Sequence, residues 1–189
     1  MKRATAVAGI VLGFACASTS ARADDSTRGP AYVQGTVGIN FWDFPGLPFI
    51  GDYSWTGFDP TIEFGFHFSG KHQGLSLGIR QSFIITASNI LGGHAAGTTV
   101  GRGGYDFAFK AGSMEVNVDP FLTIGAGYVF DGPHAGLQMS TGLDVKLFLT
   151  GGFYLVARPV ELGFQCLHDS GRCAFAYLAV VGAGFAFGN

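Results

Sequence analysis

Beyond its first two dozen residues, this chain has no uninterrupted apolar stretch near the roughly 20 residues a membrane-spanning helix requires. It is also poor in charge. Asp, Glu, Lys and Arg make up 13% of the sequence, against about 25% in an ordinary globular protein, while 48% is hydrophobic. Of the 11 basic residues, Lys2, Arg3 and Arg22 lie in an N-terminal leader, so eight remain against 13 acidic ones and leave the rest mildly acidic. They form no basic cluster of the kind that neutralises phosphates, so no nucleic-acid partner is expected. Cysteine is scarce as well, with only Cys166 and Cys173 outside the leader.

The leader has the features of a secretory signal peptide: Lys2 and Arg3, an apolar run from Ala4 to Ala17 too short to span a bilayer, and Ala21-Arg22-Ala23 before Asp24. Cleavage after Ala23 is expected, giving residues 1–23 as signal peptide and 24–189 as one domain. In an oxidising exported compartment, Cys166 and Cys173, with six residues between them, are expected to form a disulfide closing a hairpin loop.

An apolar chain without a spanning helix enters a membrane as a closed β-barrel, with side chains alternating apolar-out and polar-or-small-in. The sequence alternates repeatedly. Ile62, Phe64, Phe66 and Phe68 fall opposite Glu63, Gly65 and His67, and Leu75, Leu77 and Ile79 opposite Ser76, Gly78 and Arg80, with Gln81 breaking the apolar face. Tyr105, Phe107 and Phe109 oppose Asp106 and Lys110; Leu143, Val145 and Leu147 oppose Asp144 and Lys146; Tyr154, Val156 and Val160 oppose Ala157 and Glu161. With the segments at 33–41, 122–130 and 175–187, these make an all-β fold of eight antiparallel up-and-down strands, the even number a bacterial barrel requires. Short turns at 69–74, 111–119 and 150–152 alternate with loops at 42–60, 87–104, 131–136 and 166–173. Met114, Val116 and Val118 continue the parity of the fifth strand and are able to lengthen it.

Three motifs were weighed for chemistry. Gly65 to Lys71 matches a phosphate loop in all but its last place, but His72 stands where Ser or Thr belongs and a strand follows where a helix is needed. His168-Asp169-Ser170 has the residue types of a hydrolytic triad, but as neighbours in one tight loop, where they do not converge on a reacting atom. His67, His72, His94, His134 and His168 show no metal-ligand spacing. No catalytic residue, metal site or cofactor is therefore expected.

Tyr105-Asp106-Phe107, then Asp119-Pro120-Phe121 and Gly125-Ala126-Gly127-Tyr128, resemble the pattern of the outer-membrane β-barrel domain family, the opacity-protein and OmpA-like small barrels. The resemblance implies an outer membrane of Gram-negative type, contact with its lipid and lipopolysaccharide, and an extracellular partner met through the loops. Nothing in the residues sets an oligomeric state; a monomer is the expectation. In a lumen this narrow, Glu63, Arg80, Asp106, Lys110, Asp144, Lys146 and Glu161 are expected to pair and plug the barrel. The alternatives are a narrow channel, a lipid A-modifying barrel enzyme, or a soluble lipocalin-like barrel with its large apolar residues turned inward. Phe44, Phe49, Tyr53, Trp55 and Phe58 in the first loop serve equally as an interaction patch or as an aromatic girdle at the membrane interface.

Overall fold

A computed structural model describes residues 29–47, 51–86, 95–112, 114–130, 135–168 and 173–188. The expected leader and cleavage site lie outside them. The described residues form strands β1 (Ala31–Leu47), β2 (Gly51–Phe58), β3 (Thr61–His67), β4 (Gly74–Thr86), β5 (Ala95–Ala111), β6 (Met114–Val129), β7 (Ala135–Thr150), β8 (Phe153–Leu167) and β9 (Cys173–Phe187). Each pairs antiparallel with its neighbours, and β1 pairs with β9 from Ala31↔Phe187 to Asp43↔Phe175, closing the sheet into a ring.

Nine strands make eight staves. β2 and β3 are halves of one stave, because β1 keeps the same register across both, from Ile39↔Phe58 to Thr36↔Thr61. The interruption falls at Asp59-Pro60. Proline has no N–H to donate to a ladder, yet the Asp59 N–H still reaches the Gly38 carbonyl at 3.0 Å and the Pro60 carbonyl accepts from Phe83 at 3.0 Å. Residues 51–58, expected in a loop, are thus barrel wall. β5 likewise starts at Ala95, inside the expected 87–104 loop. Its outer face there is Gly97, Thr99, Gly101 and Gly103, which carry no apolar alternation to read. β6 begins at Met114, inside the expected 111–119 turn.

One stave departs from the expected parity. In β8 the register shifts between Arg158 and Glu161, a bulge that places an extra residue in the strand. Before it Tyr154, Val156 and Arg158 point inward and are buried; after it Glu161 does. The expected outward placement of Tyr154 and Val156 is therefore reversed.

The distribution of burial is inside-out. Ile79 and Leu122 are 63% and 66% exposed on the outer face, while Arg158, Glu63, Lys146 and Asp144 inside are at most 1% exposed. A lipocalin-like interior of large apolar side chains is not what forms. Gln81, the break in the outer face, donates to the Tyr128 hydroxyl at 2.7 Å and accepts from Thr99 at 2.5 Å, so its amide is satisfied beside its cross-strand partner. Small residues make room inside: a Cβ on Gly65 would meet the Tyr32 ring, and one on Gly184 the Tyr154 ring. The short connections, residues 68–73, the one that begins at Gly112 and residues 151–152, share one end with the Ala31↔Phe187 pair. At the other end Cys166 and Cys173 face each other in register and are joined by a disulfide.

Two outcomes follow from this fold. Ile79→Arg, midway along the outer face of β4, is expected to cost about 2–4 kcal/mol in lipid, against about 0–1 for Phe68→Arg at the short-turn end. Reversible folding into vesicles measures both, and equal costs would contradict the assigned face. Replacing both cysteines by serine is expected to remove about 2–3 kcal/mol, the chain-entropy value for so short a loop, read as a lower denaturant midpoint.

Candidate functional site

The lumen is filled by side chains from the inward parity of every stave. At its centre lies Phe121, buried, with the guanidinium carbons of Arg102, Arg158 and Arg80 4.5, 4.6 and 5.5 Å from its ring centre. Its π face is an attractive site for cations that no water dilutes. Carboxylates hold those cations from outside the ring. Arg158 donates through Nε and Nη2 to the two oxygens of Asp144 (2.6 and 3.0 Å) and through Nη1 to Glu161 (2.9 Å). Arg80 donates to both oxygens of Glu161 at 3.0 and 2.5 Å, and Ser140 donates to the same carboxylate. The β8 bulge makes this possible, because it brings Arg158 and Glu161, three residues apart, onto one face.

Toward the short-turn end the chain of pairs continues. Arg102 donates to Asp119 at 2.5 Å and Asp144 at 3.2 Å, and lies 3.3 Å from Glu63, which accepts from the Tyr32 hydroxyl at 2.8 Å. Lys146 lies between Asp119 (2.8 Å) and both oxygens of Asp106 (2.9 Å each). Asp106 contacts His67 Nε2 at 2.6 Å. A continuous ladder of ion pairs thus runs along the barrel from His67 to Arg80. Toward the other end, a cavity of about 10 Å³, room for roughly one water, lies among Asn40, Asp59, Arg80, Ser140 and Glu161.

Of the expected lumen charges, Glu63, Arg80, Asp106, Asp144, Lys146 and Glu161 come together in this ladder. Lys110 does not: it is exposed one residue before the end of β5, paired with Glu115. Arg102, Asp119 and Arg158 join the ladder although they are not among the expected lumen charges: Arg102 and Asp119 share the inward parity of Asp106 and Thr123 but fall in the expected 87–104 loop and 111–119 turn, and Arg158 is hidden by the bulge. The phosphate-loop reading has no support, since Phe66 and Phe68 are exposed on the outer face and Gly70, with φ 74°, makes the turn. His168 is exposed, and Asp169 and Ser170 lie outside the described residues.

In the expected first-loop patch, Phe44 pairs with Tyr53 in the β1–β2 ladder and Trp55 with Trp42. Phe58 is exposed on the outer face, level with Ile39 and Ile85. Phe49 lies outside the described residues.

A buried ion pair is costly to break from one side, because the surviving partner stays desolvated and uncompensated. Arg158→Met, which leaves Asp144 only the longer cation contact to Arg102 and Glu161 only the cation Arg80, is expected to destabilise the barrel by about 3 kcal/mol in a denaturant titration. A loss below 1 kcal/mol would mean the ladder does not hold the staves together.

No family model and no curated protein matches this sequence. Among solved structures, the fold is similar to Neisserial surface protein A (NspA), with a TM-score of 0.64 at 14% identity over 83% of this chain and 97% of that one. Ail, the attachment invasion locus protein of Yersinia pestis, aligns at a TM-score of 0.42 and 12% identity over 84% of this chain and 99% of that one. Its complex with the heparin analogue sucrose octasulfate aligns at 0.38 and 14% over 84% and 99%. At such identities the likeness to NspA is one of architecture, and the chain has the fold of a small outer-membrane β-barrel.

Proposed function

We propose that this protein is a non-enzymatic barrel of a Gram-negative-type outer membrane, plugged along its axis and presenting its loop end to the outside, where it meets an extracellular partner. The inside-out distribution of side chains carries the reading. A belt including Phe64, Ile79, Leu122, Ile124 and Val181 is exposed around the whole ring, and only a lipid solvent makes that arrangement favourable. Closure by the β1–β9 pair leaves no open edge in that lipid. The signal peptide expected over residues 1–23 supplies the route across the inner membrane.

Lipid and lipopolysaccharide would contact the apolar belt, and the short-turn end would face the periplasm. The ladder supports a structural role for the lumen. Its cations and carboxylates are already engaged with one another, so they are poorly placed to pass ions through a continuous wet column. Surface interaction is left to the loop end, where the β1–β2 hairpin extends the wall with Phe44, Tyr53 and Trp55 and the disulfide braces β8 to β9.

The first experiment is the electrophoretic mobility of the membrane-extracted chain, boiled and unboiled in SDS. A compact band that slows on boiling, from outer-membrane fractions, is the expected result; a heat-insensitive band in the soluble periplasm would overturn the reading.

A further inference from the structure

The short-turn end of the lumen contains a cluster that the ladder does not explain. His67 ends β3, and the turn after it folds His72 back into the barrel mouth, where the Asn117 amide holds its carbonyl at 2.8 Å. The two imidazole rings are 4.2 Å apart, and Asp106 reaches them from β5. All three side chains are buried, and their donor atoms lie within 4.8 Å of one another. The sequence hides this set because its members come from a strand end, a turn and a separate stave.

His67 identifies what the cluster is for. Its Nδ1 is 3.2 Å from the Pro30 carbonyl and its Nε2 is 2.6 Å from Asp106 Oδ2, so both ring nitrogens face acceptors. A neutral imidazole carries one N–H and satisfies one of them. A metal ion bound at Nε2 would replace the short contact to Asp106 and leave the Pro30 carbonyl as the acceptor for Nδ1–H.

We infer that His67, His72 and Asp106 form a binding site for a divalent transition-metal ion at the short-turn mouth of the barrel, with zinc the natural occupant. Two imidazoles and a carboxylate are a donor set suited to Zn²⁺, with a fourth position for water. The outer partners are in place. The Pro30 carbonyl takes the Nδ1–H of His67 and leaves Nε2 to the metal, while Lys146, 2.9 Å from both oxygens of Asp106, gives up Oδ2 to the ion and keeps Oδ1 and Asp119. Tetrahedral zinc sets its ligands roughly 3.3 Å apart, so the hydrogen-bonded pair His67 Nε2–Asp106 Oδ2, 2.6 Å apart, opens to admit the ion, and no donor of the set lies more than 4.8 Å from another. Tyr32, Phe148 and Tyr154 pack around His72 and wall the site with aromatic surface. Bound metal ties the first turn to β3 and β5 and closes that end of the lumen.

The test uses the untagged chain folded in detergent and titrated with Co²⁺ and then Zn²⁺. The expected result is one equivalent of Co²⁺ with the intense visible bands of a tetrahedral site, displaced by one equivalent of Zn²⁺, with a higher unfolding temperature in zinc. His72→Gln, a change on a turn rather than a stave, is expected to keep the heat-modifiable band and to weaken zinc binding more than about 100-fold, beyond the loss of an outer-shell partner. No saturable uptake at micromolar ion would overturn the site. So would uptake unchanged in both His67→Gln and His72→Gln, or wild-type Co²⁺ spectra of octahedral type. Heat-modifiability of the metal-free chain tests the barrel separately, so failure of the metal site does not count against the membrane reading.

Discussion

Backbone hydrogen bonding with no water to help it is the constraint on which this structure rests. In hydrocarbon an open sheet edge would leave a row of unpaired N–H and C=O groups, each costing several kcal/mol. Thirteen consecutive residue pairs between β1 and β9 remove that edge. Once the ring is closed, each strand residue faces either outward or inward. The outer face takes the large apolar side chains, and the inner face is left to whatever fits a narrow tube.

What fits is a ladder of salt bridges rather than an oily core. Buried ion pairs add little net stability when compared with apolar packing, because desolvation offsets most of the Coulombic gain. Their value here is geometric. Arg102 joins Glu63 on β3, Asp119 on β6 and Asp144 on β7, and Arg158 joins Asp144 on β7 to Glu161 on β8, so the pairs favour one register over its neighbours. The three arginines around Phe121 add an aromatic hub at mid-lumen. Where room runs short the chain uses glycine, as at Gly65 beside Tyr32 and Gly184 beside Tyr154.

The two ends of the barrel are built differently. At the loop end β1 and β2 extend the wall beyond the Asp59-Pro60 break, and a disulfide ties β8 to β9. At the other end His72 turns inward and stops the tube with imidazole and aromatic surface. The loop end is thus extended and braced, while the short-turn end is stopped by its own side chains.

Period-two alternation alone identified the architecture, because a barrel wall exposes one face to an apolar solvent and the sequence must repeat that demand on every stave. Phe64, Ile79, Leu122 and Val145 all show it, and the pairing of Cys166 with Cys173 was legible separately, from their spacing in an exported chain. Alternation failed where the outer face is small, as at Gly97 to Gly103, and where a bulge changes parity, as between Arg158 and Glu161. It could not show which charges meet. Arg80 is 81 residues from Glu161 and Lys146 is 40 from Asp106, so those contacts exist only after the ring has closed and brought distant staves within side-chain reach. The sequence by itself thus determined which face of each strand turns outward. Only the tertiary structure decided the ion-pair partners and the meeting of His67, His72 and Asp106, because both depend on register and curvature, to which local alternation is blind.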